Sequence, residues 1–130
     1  MLTQVLIVDD NKVNRMVVKG QLERLGIKAD IAEDGYEALD KVARHGPYEI
    51  ILMDCDLPGI DGFETTKQIR NLESKNFPTR SHIVALTAST SPEIHEKALE
   101  AGMNCVLLKP LSLESLESYL VEQHTMKEIA

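Results

Sequence analysis

Four short apolar runs, Val5 to Val8, Ile50 to Met53, Ile83 to Leu86 and Val106 to Leu108, punctuate this chain and limit what it can fold into. Each is too short for a helix and rich in β-branched or aliphatic side chains, which suits a strand covered on both faces. A weaker run, Lys28 to Ala32, alternates polar and apolar residues and fits an edge strand beside the buried four. The stretches between them carry helical spacing. Val13, Val17, Val18, Leu22 and Leu25 form an apolar stripe that Gly26 closes as a C-terminal cap. Asp34 and Glu37 stand at capping-box spacing and open a helix that ends at Gly46-Pro47, and Asp61 and Glu64 repeat the device for a helix from about Gly62 to Ser74. Ser91-Pro92 reads as the N-cap and first-turn proline of a further helix ending near Gly102, and Leu113, Leu116 and Leu120 mark the last one. Strand and helix alternate without a Gly/Ser linker, a low-complexity tract or a repeat. That pattern describes one α/β domain on a parallel sheet.

Composition narrows the partners. A chain of 130 residues, 43% hydrophobic, can bury a single core without staples. Its formal net charge of -7, with three Tyr, two Phe, no Trp and no Lys/Arg block, excludes direct binding to a nucleic-acid backbone by this segment. No apolar stretch approaches the roughly 20 residues that span a bilayer, and the N-terminus lacks a signal-peptide pattern, so no membrane contact and a cytoplasmic location are expected. Cys55 and Cys105 form neither a disulfide framework nor a ligand spacing, and both are expected to be reduced. His45, His82, His95 and His124 are too dispersed for a metal site.

Chemistry enters with the residues that follow the apolar runs: Asp9-Asp10, Asp54, Thr87 and Lys109. In an open parallel sheet the crevice beyond the strand carboxyl ends is where ligands bind, so these distant residues are expected to converge. Three carboxylates from two adjacent strands repel one another there. Two like charges about 4 Å apart cost on the order of 4 kcal/mol at an effective dielectric of about 20, so either a pKa rises or a cation binds. An all-oxygen ligand set favours Mg²⁺, with Mn²⁺ as a substitute and zinc disfavoured. Each residue also has a plain structural reading. Asp9 and Asp10 suit a helix cap, though Asn11 fills that role more cheaply; Asp54 and Lys109 suit a simple ion pair; Thr87 is common at strand ends; Pro110 suits a strand terminator. Gly59, Asp61 and Gly62 read as loop and cap chemistry. Asp54 and Asp56 also have the DxD spacing of haloacid-dehalogenase phosphatases and of the start of an EF-hand loop. Pro58 defeats both, and Thr65 stands where the EF-hand needs Glu.

Together, VLIVDDN at 5–11, MDCDLPGIDG at 53–62, ALTAS at 85–89 and LLKP at 107–110 resemble the response-regulator receiver domains of two-component signalling. The resemblance implies a flavodoxin-like (βα)5 sandwich with strand order 2-1-3-4-5. It further implies that Asp54 is the phosphoacceptor, taking a phosphoryl group from a phosphohistidine on a histidine kinase dimerisation domain or a histidine-phosphotransfer domain. Asp10, Asp54 and the backbone carbonyl of Asp56 would ligate Mg²⁺, with Asp9 acting through water. Lys109 would contact a phosphoryl oxygen, Thr87 would turn its hydroxyl toward the same group, and a cis peptide would follow Lys109. Such a domain assists its own phosphorylation and dephosphorylation and is not otherwise an enzyme. DDNKVNR and AGMN lean toward the receivers of hybrid sensor kinases, so the chain is read either as a stand-alone regulator or as a piece of a longer protein. The domain is expected over 1–124, with 125–130 a short tail.

Two positions depart from the pattern. Val106 stands where most receivers carry Tyr or Phe, so coupling from Thr87 to the output surface is expected to be weak or to run through the backbone. Asp56 places a carboxylate on the approach path of water and partners, so its removal is expected to change the acyl-phosphate lifetime. A phosphorylation-independent adaptor and a small phosphatase are the competing functions. The full set of acids, Thr and Lys disfavours the first, and the missing cap domain and motif residues disfavour the second.

Overall fold

The computed structural model describes residues 4–89, 91–112 and 114–119. Its strands are β1 (Val5–Val8), β2 (Ala29–Ala32), β3 (Ile50–Asp54), β4 (His82–Thr87) and β5 (Cys105–Leu108), all parallel and ordered β2-β1-β3-β4-β5. The flavodoxin-like order is thus found, with the alternating run at one edge as expected. Between the strands lie α1 (Lys12–Arg24), α2 (Gly35–His45), α3 (Gly62–Asn76) and α4 (Pro92–Ala101), and residues 114–119 are again helical.

The central strands are buried on both faces because successive side chains point to opposite sides of the sheet. Leu6, Val8, Ile51, Met53, Ile83 and Ala85 pack with Ala38, Val42, Ile69 and Ala98 from α2, α3 and α4. Val5, Ile7, Ile50, Leu52, Val84 and Leu86 pack with Val18 and Leu22 of α1 and with Leu116 and Tyr119 on the other face. Each fully buried Leu, Ile or Val contributes roughly 1.5–3 kcal/mol, so this double layer is what holds the strand ends in fixed register.

Local chemistry sets the helix starts. Asn11, Asp34, Asp61 and Ser91 each accept a hydrogen bond from the backbone N–H three residues on, and Pro92 occupies the first turn of α4. Gly102, at φ 101°, ends α4 in the left-handed region that favours glycine. At the amino ends of β4 and β5, Arg70 of α3 ties several elements together. Its Nε donates to the Gly102 carbonyl at 2.9 Å, Nη1 to Glu73 at 2.8 Å and to the Ser81 carbonyl at 2.7 Å, and Nη2 to Asn104 at 2.8 Å.

Three expectations need correction. The stripe on α1 is rotated: Val13 and Val17 are 67% and 52% exposed, while Arg15, Val18 and Leu22 face inward. The inward set follows i, i+3, i+7 spacing through an arginine, which an apolar count passes over. β5 is not covered like the central strands; it pairs with β4 alone, its residues are half-buried, and Leu108 is exposed, because a five-stranded open sheet has two edges. The third is modest: α3 runs to Asn76, past Ser74. Leu113, Leu120, His124 and the expected tail at 125–130 lie outside the described residues.

Candidate functional site

β1, β3, β4 and β5 end at one rim, with Val8 beside Met53, Asp54 beside Leu86 and Thr87 beside Leu108 in the sheet register. Asp54 is the last residue of β3 and is 2% exposed. Asp9, just past β1, is also buried, and Asp10 is exposed. One carboxylate oxygen from each of Asp9, Asp10 and Asp54 lies within 4.8 Å of the others. Lys109, just past β5, brings Nζ to 2.7 Å from Asp54 Oδ1. The same oxygen accepts from the Asp56 N–H at 3.0 Å, and Asp9 Oδ1 accepts from the Asn11 N–H at 2.9 Å. These two short turns aim the aspartates at each other. Thr87 is buried at the rim, where its hydroxyl accepts from the Ser89 N–H at 3.2 Å and its carbonyl accepts from the Lys109 N–H at 2.8 Å. The Lys109–Pro110 peptide is cis, as expected; a second cis bond, Gly46–Pro47, was not anticipated.

The charges do not cancel. Burial raises the Asp9 pKa above the ordinary carboxylate value; the Asn11 N–H works against this, and the neighbouring Asp54 and Asp10 charges push in the same direction as burial. Burial pulls Lys109 down, but its hydrogen bond to Asp54 and the charges of Asp54, Asp9 and Asp56 outweigh that, and the net shift is upward. Lys109 is therefore a firm ammonium near neutral pH. One ammonium faces three carboxylates, so a hard divalent cation suits the remaining charge, and exposed Asp10 keeps the site open for oxygen ligands from solvent. Among the described residues no histidine or cysteine joins this cluster. The Cys55 thiol beside it is buried and pushed up to about 12, first by burial and then by Asp56 and Asp54, which leaves it unreactive.

The plain structural readings account for less. Asn11 takes the cap of α1, so Asp9 and Asp10 are not needed there. An Asp54–Lys109 ion pair is present, yet a lone pair would not call for two further acids beside it. Asp61 does cap α3, and Gly59, at φ 77°, makes the turn before it.

Sequence reasoning missed two features beside the rim. Arg15 is buried and donates to the Asp9 carbonyl; an arginine at i-3 from an inward-facing valine was the available signal. A cavity of about 410 Å³ adjoins the site, lined by Val17, Val18, Leu86 and Leu111, with Asp9 and Lys109 at its polar end.

Comparison with known proteins places the chain. Residues 5–121 match the response regulator receiver domain. The sensor protein EvgS of Escherichia coli (strain K12) is 39% identical over 126 residues, covering 97% of this chain but 10% of EvgS. The autoinducer 2 sensor kinase/phosphatase LuxQ of Vibrio parahaemolyticus is 39% identical over 119 residues, 92% of this chain and 13% of that protein. The chain thus spans about a tenth of the length of such relatives. Among solved structures, the Saccharomyces cerevisiae receiver domain of Ssk1, crystallised with the histidine phosphotransfer protein Ypd1, matches with a TM-score of 0.85 at 37% identity, covering 96% of this chain and 90% of that one. The receiver domain of sensor histidine kinase PA1611 from Pseudomonas aeruginosa, with magnesium in its active site cleft, matches at 0.79 and 35%, covering 92% and 95%. The sheet order, the rim of acids with its lysine, and these likenesses agree: the chain belongs to the response regulator receiver domain family.

Proposed function

We propose that this domain is a phosphoacceptor switch in which Asp54 takes a phosphoryl group from a phosphohistidine. A carboxylate oxygen of Asp54 attacks phosphorus in line, the P–N bond breaks, and the imidazole leaves with the electron pair and gains a proton. The product is an acyl phosphate on Asp54. Lys109 meets the incoming phosphoryl oxygens with an ammonium, a charge-assisted contact. Thr87 exchanges its bond with the Ser89 N–H for one to the phosphoryl group, and so reports the modification. Asp9, Asp10, Asp54 and the backbone carbonyl of Asp56 would hold Mg²⁺, or Mn²⁺ in its place. When bound, that cation offsets the negative charge phosphate brings to an acidic pocket. The domain assists its own phosphorylation and dephosphorylation and turns over no separate substrate.

The observation that carries this reading is the placement of Lys109 Nζ 2.7 Å from a buried Asp54 whose carboxylate also faces Asp9 and Asp10. A helical histidine domain is the proposed donor, either the dimerisation domain of a kinase or a phosphotransfer module, within a hybrid kinase or a phosphorelay in the cytoplasm. Val13, Met16 and Val17 support an approach over α1, because these apolar side chains are exposed and Val17 continues into the cavity beside Lys109. Among the described residues no helix is long and apolar enough to cross a membrane.

Incubation with acetyl phosphate and Mg²⁺, followed by intact-mass measurement, tests the assignment. A gain of one phosphoryl group that Asp54→Asn abolishes is the expected result. No gain would make the domain a phosphorylation-independent adaptor, and steady release of phosphate without a lasting adduct would make it a phosphatase.

A further inference from the structure

We propose that Arg15 is a positioning residue for the acidic pair: its guanidinium clamps the main chain at Asp9 and so sets how Asp9 and Asp10 face Asp54. This inference rests on the reading that these acids hold a divalent cation. Arg15 lies in the first turns of α1 on the face turned toward the sheet, and it is 6% exposed. Charged groups are seldom buried so fully without partners. Nη1 donates to the Asp9 carbonyl at 2.8 Å, and Nη2 lies 3.5 Å from Glu33, whose side chain is 67% exposed. Nε is buried with no hydrogen-bond partner among the described residues.

Stability alone is a poor reason for this arrangement. An exposed ion pair adds little, a buried unpaired N–H is costly, and an apolar side chain of similar volume would serve the core better. What Arg15 supplies is control of a peptide. The Asp9 carbonyl and the Asp10 N–H share one planar unit, so fixing the first fixes the start of the second. The rest of the turn is held from within or from β2, by the Asp9 N–H to the Ala32 carbonyl at 3.1 Å and by the Asn11 N–H to Asp9 Oδ1 at 2.9 Å. Arg15 adds a hold from the helix. Mutual repulsion favours outward relaxation of the Asp9–Asp10 turn, which would separate the acids from Asp54. The clamp keeps the three carboxylates within 4.8 Å of one another, close enough to converge on one cation. Partners that orient metal ligands in this way are commonly worth about tenfold or more in affinity.

Mn²⁺ binding to the purified domain, followed by water-proton relaxation, supplies the test, with melting temperature in EDTA as a second measurement. Wild-type protein is expected to bind Mn²⁺ in a manner that Asp10→Asn removes. Arg15→Met should raise the dissociation constant about tenfold, and Glu33→Gln should leave it within about twofold of wild type. A purely structural Arg15 would lower the melting temperature in EDTA while leaving the dissociation constant unchanged, and that result overturns the inference. Should Arg15→Met fail to fold, Arg15→Lys carries the same test, because a single ammonium on a shorter side chain does not reproduce the guanidinium's fixed donor geometry at the Asp9 carbonyl. An affinity about threefold weaker than wild type is then expected, and an unchanged one overturns the inference. Wild-type protein without Asp10-dependent binding overturns the metal reading and this inference together; wild-type binding matched by a folded Arg15 variant overturns this inference alone.

Discussion

Lys109 faces a carboxylate that is almost completely buried, and the pair is held in a pocket with two further acids. On the proposed function its value lies in what arrives, because a phosphoryl group would bring oxygens that must displace or share the lysine's bond to Asp54. Removing one preorganised donor from a charge-developing site commonly costs about a hundredfold in rate. Lys109→Met is therefore expected to slow phosphorylation by acetyl phosphate about a hundredfold while leaving Mn²⁺ affinity no weaker, since an ammonium competes with a cation for Asp54. A marked loss of Mn²⁺ affinity would instead show that the lysine orients the acids. A second residue acts far from the rim. His82, at the start of β4, stacks on Tyr119 with ring centroids 6.1 Å apart, and its pKa is lowered by burial and then by the charge of Arg70. The folded state thus binds fewer protons than the unfolded chain, so this histidine's contribution to stability is present above the unfolded value near 6.5 and is lost as pH falls below it. The melting temperature of wild type should drop between pH 7 and 5.5 more steeply than that of His82→Phe, which keeps the ring stacking. Parallel curves would remove His82 as the cause. The rim residues were legible because each follows an apolar run. His82 stood out only as one of four dispersed histidines, because its ring partner lies 37 positions away and left no local trace.

At the level of the element, the segment from β3 into α3 sets the alignment of Asp54, the proposed nucleophile. Asp61 caps α3 by accepting from the Glu64 N–H at 2.8 Å, and the Gly62 N–H donates to the Cys55 carbonyl at 3.1 Å. A Cβ on Gly62 would collide with the Asp54 carbonyl oxygen and lie 2.9 Å from Cys55 Cα. The helix start is therefore packed directly on the peptide that holds Asp54. Asp61→Ala should cost about 1 kcal/mol in urea unfolding and leave the phosphorylation rate unchanged. Gly62→Ala should cost roughly 1–3 kcal/mol and also slow phosphorylation, because backbone must move to admit the methyl group. Equal rates in the two variants would mean that the β3–α3 join yields without disturbing Asp54. Capping signals such as Asp34 with Glu37 and Ser91 with Pro92 were legible because partner and donor lie within one turn. The rotation of α1 was not, since valines at 13 and 17 outvoted an arginine whose partner is a backbone carbonyl on another element. The Arg70 ties were hidden for the same reason, reaching Ser81 and Asn104 across 11 and 34 positions.

At the scale of the molecule, a parallel α/β layer was readable from alternation alone, whereas the strand order came from family resemblance, because apolar runs do not say which neighbours they choose. The order matters for signalling, since it puts Thr87 and Lys109 on adjacent strands and sends β4 directly into the loop before α4. Val106 is half-buried against the cluster that contains Met103 and Ala98, and it has no ring that could follow a movement of Thr87. α4 itself is anchored at its far end. Its buried residues are Ala98 and Ala101 in the last turn, and Arg70 holds the Gly102 carbonyl and Asn104 just beyond. A shift of the Thr87 hydroxyl from the Ser89 N–H to a phosphoryl oxygen frees the near loop, but it supplies no side-chain lever to a helix pinned at the opposite end. Amide chemical shifts with and without beryllofluoride and Mg²⁺ should therefore change around Asp9 to Asn11, Asp54 to Asp56, Thr87 to Ser89 and Lys109 to Leu111, while Pro92–Ala101 changes little. Large changes through α4 would show that backbone motion from the freed loop is enough to drive the helix, and that the aromatic found in most receivers is dispensable here.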